Sequence, residues 1–170
     1  MKKILIIGIS GAGKSTFAMK LSEKLSIPII HLDRLFFEPG WVMVGKDLFE
    51  KKVLEQTKMD IWIIDGNYTN SMELWLKDAD TVFYFDFPVV HCLWSVIKRR
   101  IMFHNKTRPD SAEGCDEALN LELLKFIWNF KKNNTPGIES ILAKQPKEKQ
   151  IIRFRNYSDI KKFLHQLSEK

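Results

Sequence analysis

The sequence predicts an α/β fold in which a five-stranded parallel sheet is covered by helices on both faces. Three observations carry this expectation. Short apolar runs alternate with amphipathic stretches along the whole chain, the pattern of successive βα units. Most of those runs are continuous in apolar residues instead of alternating with polar ones, which marks strands buried on both faces. The first of them ends at a glycine-rich turn that feeds directly into a helical pattern. A length of 170 residues suits one domain with a sizeable core of its own.

Taken in order, Lys2 to Ile9 reads as a buried parallel strand, β-branched and closed by Gly8. Lys14 to Leu25 places Phe17, Ala18, Leu21 and Leu25 at helical spacing. Ile27 to Leu32 is a second short strand entered through Pro28. Asp33 to Lys58 reads as mostly helical, broken by the turn signal Glu38-Pro39-Gly40. Ile61 to Ile64 is a third strand closed by Asp65-Gly66, and Asn70 to Lys77 a short helix. Thr81 to Phe85 is a fourth strand. Pro88 to Phe103 then forms a helix with Val89, Cys92, Leu93, Val96 and Ile97 on one face, and proline near its start fits. Asn105 to Gly114 is polar and carries Pro109, hence a loop. Cys115 to Lys132 is amphipathic, and Thr135-Pro136 opens a short helix to Lys144. Ile151 to Phe154 is the fifth strand and Ser158 to Ser168 the closing helix. No linker, repeat or second core interrupts the series, so residues 1–170 are expected to form a single domain.

Composition narrows the class. Hydrophobic residues at 45% and charged residues at 28% exclude a disordered or low-complexity chain. Two cysteines are too few for a disulfide framework. No run reaches the roughly 18 to 20 apolar residues that a membrane span needs, and Lys2 to Ile9 lacks a signal-peptide pattern. The expectation is a soluble cytoplasmic protein, monomeric or dimeric. Lys and Arg number 27 against 21 Asp and Glu, a net charge of +6. That balance suits phosphorylated small molecules as well as nucleic acid. Five of the cations fall between Lys98 and Arg108, with no acidic residue among them. No helix-turn-helix, RNP or zinc-finger signature accompanies them, so nucleic acid is not the favoured partner.

In sheets of this class ligands bind outside the carboxyl ends of the strands. There the first strand delivers Gly8-Ile9-Ser10-Gly11-Ala12-Gly13-Lys14-Ser15, a complete G-x-x-x-x-G-K-[ST] motif followed by Thr16. Glycines let backbone N–H groups wrap a phosphate without Cβ obstruction. The helix behind them presents its N-terminal N–H groups to the same anion. Lys14 supplies a charge to the β and γ phosphates, and the Ser15 hydroxyl can ligate Mg²⁺. Strand before and helix after complete the context that the motif requires. Gly8, Ser10, Gly11, Ala12, Gly13, Lys14, Ser15 and Thr16 are therefore the expected nucleotide site, with ATP and Mg²⁺ as cofactors.

With this motif the chain resembles P-loop kinases of the adenylate kinase and shikimate kinase type. It resembles more closely the small bacterial DNA topology modulation proteins, on His31-Leu32-Asp33, Pro39-Gly40-Trp41, Ile64-Asp65-Gly66-Asn67-Tyr68, Arg99-Arg100, Arg108-Pro109-Asp110 and Glu113-Gly114-Cys115. The resemblance implies a P-loop NTPase three-layer α/β/α sandwich with an acceptor-binding insertion at about 34–58 and a helical lid at about 104–116. It implies an ATP-dependent phosphotransferase acting on a small acceptor. The family name implies a rival reading, a nucleotide-binding, DNA-associated regulatory protein.

Several further residues become candidates. Asp33 ends the second strand, where shikimate kinase-like enzymes hold the acceptor hydroxyl, and a carboxylate there can orient or deprotonate it. Arg34 beside it is a candidate grip for an anionic acceptor. Asp65 ends the third strand like a Walker-B acid, suited to Mg²⁺ or to the acceptor. His31, on the strand before Asp33, reads as structural. Nucleotide kinases continue past this aspartate with an aromatic residue and Pro-Arg, whereas this chain has Asn67-Tyr68, which removes a phosphate-gripping arginine. Arg99, Arg100 and Arg108 bracket the second insertion, where the resembled kinases place lid arginines; guanidinium groups bind phosphate oxygens bidentately. Arg155, with Asn156, sits where the resembled kinases cup the adenine. Phe36, Phe37 and Trp41 are candidates for an apolar acceptor pocket, and Asp86 reads as a helix-start residue. The histidines and cysteines have no zinc spacing.

Overall fold

The computed structural model describes residues 1–103, 112–115 and 121–168. Its elements are β1 (Lys3–Gly8), α1 (Lys14–Leu25), β2 (Ile29–His31), α2 (Leu32–Phe36), β3 (Phe37–Glu38), β4 (Val42–Met43), α3 (Lys46–Gln56), β5 (Trp62–Asp65), α4 (Met72–Leu76), β6 (Thr81–Phe85), α5 (Val89–Met102), α6 (Leu121–Asn133), α7 (Thr135–Ala143), β7 (Gln150–Phe154) and α8 (Tyr157–Ser168). Five strands form one parallel sheet in the order β2-β5-β1-β6-β7. The central strands β5, β1 and β6 are buried on both faces, apart from the half-buried Lys3, whereas the edge strands β2 and β7 are only partly covered. That difference is why the central strands read as unbroken apolar runs.

Alternate residues of a strand face opposite sides, and the helices use this. Phe83 and Phe85 of β6 and Phe154 of β7 meet Phe17 of α1, with ring centroids 4.9, 5.5 and 5.4 Å apart. Phe163 of α8 closes the same cluster 5.0 Å from Phe83. Helices α1 and α8 thus share one face. Right-handed crossovers put α3 to α7 on the other, where Phe49 of α3 packs 6.0 Å from Trp75 of α4. Chain direction reverses across β1: β2 and β5 lie to one side of it, β6 and β7 to the other. The carboxyl end of β1 is therefore the topological switch point, where a crevice opens.

Several elements differ from the sequence expectation. The break expected in the helical stretch after Asp33 is more than a turn: α2 ends at Phe36, and an antiparallel β3–β4 hairpin pairs Phe37 with Met43 and Glu38 with Val42 before α3 begins. Gly40 and Trp41 take positive φ of 78° and 63° to close it. Cys115 is itself not helical; it is buried, and its thiol donates to the Glu38 carbonyl at 3.2 Å. The Gly40 N–H donates to the Gly114 carbonyl at 3.0 Å. Residues 112–115 are thus docked on the hairpin. Residues 104–111, with Arg108, and 116–120 lie outside the described residues. Asp86 does not start a helix either, since α5 begins after Pro88. Its carboxylate joins Lys131 of α6 and Arg153 of β7, the latter at 3.5 Å. Among the described residues no helix is long and apolar enough to cross a membrane.

Candidate active site

The carboxyl ends of β1, β2 and β5 open on one cleft of about 1380 Å³. A single small-ligand pocket is typically about 300–1,000 Å³, so this cleft has room for two ligands side by side. Its floor is the turn between β1 and α1, from which Gly8, Ser10, Gly11, Gly13, Lys14, Ser15 and Thr16 face the space. Ala12 is fully buried beneath it.

The turn is pressed so closely onto its surroundings that only glycine fits. At Gly8, φ is 129° and a Cβ would stand 2.3 Å from the Phe85 carbonyl oxygen of β6. At Gly11, φ is 84° and a Cβ would stand 2.5 Å from the Cys92 carbonyl oxygen of α5. The Gly8 N–H donates to Asn67 Oδ1 at 3.2 Å, tying the turn to the end of β5. The half-buried Lys14 curls back so that its Nζ donates to the Ile9 carbonyl at 3.0 Å. Burial pulls its ammonium pKa below the usual lysine value, against the opposing pull of the Asp65 and Asp33 carboxylates. An anion bound in the turn would be neutralised by this lysine. Burial likewise pushes the nearby Cys92 thiol up to about 11, so it stays a neutral packing group.

Parallel pairing sets His31 of β2 beside Asp65 of β5. His31 Nδ1–H donates to Asp65 Oδ2 at 3.0 Å. The other oxygen, Oδ1, is buried without a hydrogen-bond partner. A carboxylate with one oxygen fixed and the other unsatisfied fits a cation or its water shell, as does the Ser15 hydroxyl lining the same cleft. Among the described residues no cluster of three or more His, Cys, Asp or Glu could hold a metal by itself. That donor set suits Mg²⁺, which is bound through one or two side chains, water and substrate phosphates.

Asp33, in the first turn of α2, also lines the cleft and accepts the Tyr68 hydroxyl at 2.8 Å. Burial raises the Tyr68 pKa far above its ordinary value, and the Asp33 charge and hydrogen bond add to this. Tyr68 therefore stays protonated and holds Asp33 as a fixed donor. A chain of rings leads away from it: Tyr68 to Phe36 at 4.8 Å, Phe36 to Phe37 at 4.9 Å, Phe37 to Trp41 at 5.1 Å.

The expected arginines divide. Arg99 lines the cleft; Arg100 does not, and its Nη1 is buried without a hydrogen-bond partner. Arg34 is exposed and outside the cleft lining. Arg155 is also exposed and outside it, its backbone N–H donating to Asp159 at 2.9 Å. The residue that reaches the cleft from this loop is Tyr157, whose ring lies 5.1 Å from His91 and would meet a Cβ on Gly13 at 3.4 Å. Sequence reasoning missed His91 as a lining residue and Tyr68 as the partner of Asp33, and in the loop after the fifth strand it singled out Arg155 and Asn156 instead of Tyr157. Only the position of Tyr157 just after the fifth strand could have pointed to it.

No family model matches the sequence. Over 52 residues, 31% of this chain, it is 40% identical to a shikimate kinase of Sulfurihydrogenibium sp. (strain YO3AOP1), and the match spans 31% of that relative. The crystal structure of shikimate kinase from Bacteroides thetaiotaomicron superposes with a TM-score of 0.58 at 20% identity, over 98% of this chain and 96% of that one. The fold is that of a P-loop kinase. It is the expected three-layer α/β/α arrangement, and the glycine-rich turn of the cleft occupies the P-loop position after its first strand.

Proposed function

We propose that the chain is an ATP-dependent phosphotransferase that passes the γ-phosphoryl group of ATP to a small acceptor alcohol. The observation that carries this is the meeting of the complete P-loop, Lys14 and the Tyr68-anchored Asp33 in one cleft large enough for two substrates. Similarity to shikimate kinases in fold and over 52 residues supports the same class.

In this reading the P-loop N–H groups and Lys14 hold the phosphates of ATP. Asp33 orients the acceptor hydroxyl. The hydroxyl oxygen bonds to the γ-phosphorus as the bond to the β–γ bridging oxygen breaks, ADP departs, and the hydroxyl proton passes to Asp33. Ser15 and Asp65 would hold Mg²⁺, which supplies charge neutralisation at the β and γ oxygens. Arg99 adds positive charge at the α5 side of the cleft. The segment 34–58 carries the acceptor wall. Catalysis consists of positioning and preorganised charge.

The test is ADP release by the purified chain with MgATP against a panel of alcohols that includes shikimate. Lys14→Ala is expected to lower acceptor-dependent turnover by about 100-fold or more while circular dichroism remains unchanged. Equal turnover in the variant would overturn the proposal.

A further inference from the structure

Resting on the phosphotransferase reading, we infer that the acceptor is an uncharged alcohol with a flat, apolar ring body, packed against the Phe36–Phe37–Trp41 wall with its hydroxyl at Asp33. The ring chain ends at the Asp33 carboxylate through Tyr68. Phe36, Phe37, Trp41 and Tyr68 are all half-buried and line the cleft, Phe36–Phe37 and Phe37–Trp41 meeting edge-to-face at 85° and 75°. Phe49 supports the wall from behind, 5.0 Å from Phe36 and 4.7 Å from Tyr68. A wall of this kind binds flat rings through stacking and apolar contact.

Among the described residues, charge on the acceptor side disfavours an anionic acceptor. Among the described residues the lysines and arginines that line the cleft are Lys14, Lys98 and Arg99. Lys14 belongs to the P-loop, and the other two to α5. The acceptor side, from His31 to Tyr68, contributes two carboxylates, Asp33 and Asp65, and neither lysine nor arginine. A carboxylate or phosphate on an acceptor seated against the rings would meet like charge, with no described cation on that side to offset it. Specificity arises as much from such repulsion as from attraction. The opposite wall is mixed: Trp94, Met102, Phe103 and Phe126 face the same space beside Lys98, Arg99 and Glu122. The ring body would thus lie against the aromatic wall, with a polar anchor at its hydroxyl.

The test compares ADP release, at fixed MgATP, for four acceptor sets: nucleosides together with pyridine- and pyrimidine-methanols; the same molecules bearing a carboxylate or phosphate; carboxylated cyclic polyols; and uncharged aliphatic polyols. A ring alcohol is expected to give a kcat/KM at least about 10-fold above its charged analogue and above the aliphatic polyols. Trp41→Ala should raise the KM for that alcohol about 10-fold and shift the KM for ATP less than about twofold. Met43 lies at the rim of the wall and is 67% exposed, so it tolerates a cation. Met43→Lys should move the preference toward the anionic analogue by about 10-fold. In parallel, titration of tryptophan fluorescence, with Trp41→Phe as reference, reads binding without turnover.

Lys14-dependent turnover that favours a carboxylated or phosphorylated acceptor would overturn this inference and leave the phosphotransferase reading intact. Ring alcohols that neither raise ADP release nor change the Trp41 signal would overturn it as well. A chain that fails to bind ATP at all would instead refute the phosphotransferase reading.

Discussion

Alanine substitution at Gly11 and Gly13 separates two physical costs that the P-loop carries. Both glycines have φ near 90°, so an alanine at either pays about 1–2 kcal/mol for a left-handed backbone. The surroundings differ. At Gly13 the nearest atom to a new Cβ is a Tyr157 ring carbon at 3.4 Å, ordinary contact. At Gly11 it is the Cys92 carbonyl oxygen at 2.5 Å, with a Val96 methyl at 2.9 Å. A helix backbone cannot swing aside as a side-chain tip can, and overpacking of this kind adds about 1–3 kcal/mol. Gly13→Ala should therefore cost about 1–2 kcal/mol and Gly11→Ala about 2–5 kcal/mol. For a chain of this size each kcal/mol shifts Tm by about 2–4 °C. Expected losses are about 2–8 °C at Gly13 and about 4–20 °C at Gly11, within a total stability of about 5–15 kcal/mol, so both variants fold. Thermal unfolding followed by circular dichroism measures the difference. If Gly11→Ala melts as high as Gly13→Ala, the close approach of the P-loop to α5 is not what requires glycine, and the steric account of the loop fails.

Two further outcomes are expected. Asp33→Asn should slow acceptor phosphorylation by about 100- to 10,000-fold while ATP affinity, read by equilibrium binding, changes far less; a collapse of nucleotide affinity with normal acceptor kinetics would assign Asp33 to the nucleotide instead. Asp80 accepts the Lys2 and Lys3 N–H groups at 2.7 and 3.0 Å and the Thr81 hydroxyl at 2.6 Å; burial works to raise its pKa, but these hydrogen bonds outweigh it and hold the carboxyl below its usual value. Its contribution is then fully present above the unfolded pKa of about 3.9 and is lost as pH falls through the lower folded value, so Asp80→Asn should lower Tm by about 2–4 °C near pH 7, about one hydrogen bond's worth, with the gap to the wild type closing as pH approaches about 3. A gap that widens on acidification would refute this account.

What the sequence made legible follows from how each feature is held. Strands β1, β5 and β6 are buried on both faces, so their residues answer to one requirement, apolarity, and the pattern survives in one dimension. The P-loop was legible because its glycines, Lys14 and Ser15 fall at fixed spacing within one turn of eight residues. The β3–β4 hairpin was not. Its strands have two residues each, too short for any period, and Val42 and Met43 are 57% and 67% exposed. Its turn needs a positive φ at Trp41, a residue with no intrinsic preference for it. Two of its supports are remote, the Gly114 carbonyl and the Cys115 thiol.

The same distinction runs through the site. His31, Asp33 and Asp65 stood out because each ends or follows a strand, and a parallel sheet brings such ends together whatever lies between them. Sequence position alone could not say what each carboxylate touches. Asp33 meets Tyr68 across 35 residues and Asp65 meets His31 across 34. Asp86 shows the opposite outcome. It too follows a strand, yet Lys131 and Arg153 draw it into an ion-paired cluster with Glu139, and it does not line the cleft. A strand-end carboxylate becomes a candidate for chemistry only when its own partners leave it facing the crevice. Tyr68 does this for Asp33, and His31 does it for Asp65 by engaging one oxygen and leaving the other unsatisfied. Those neighbours, more than the acids themselves, distinguish the site from the frame around it.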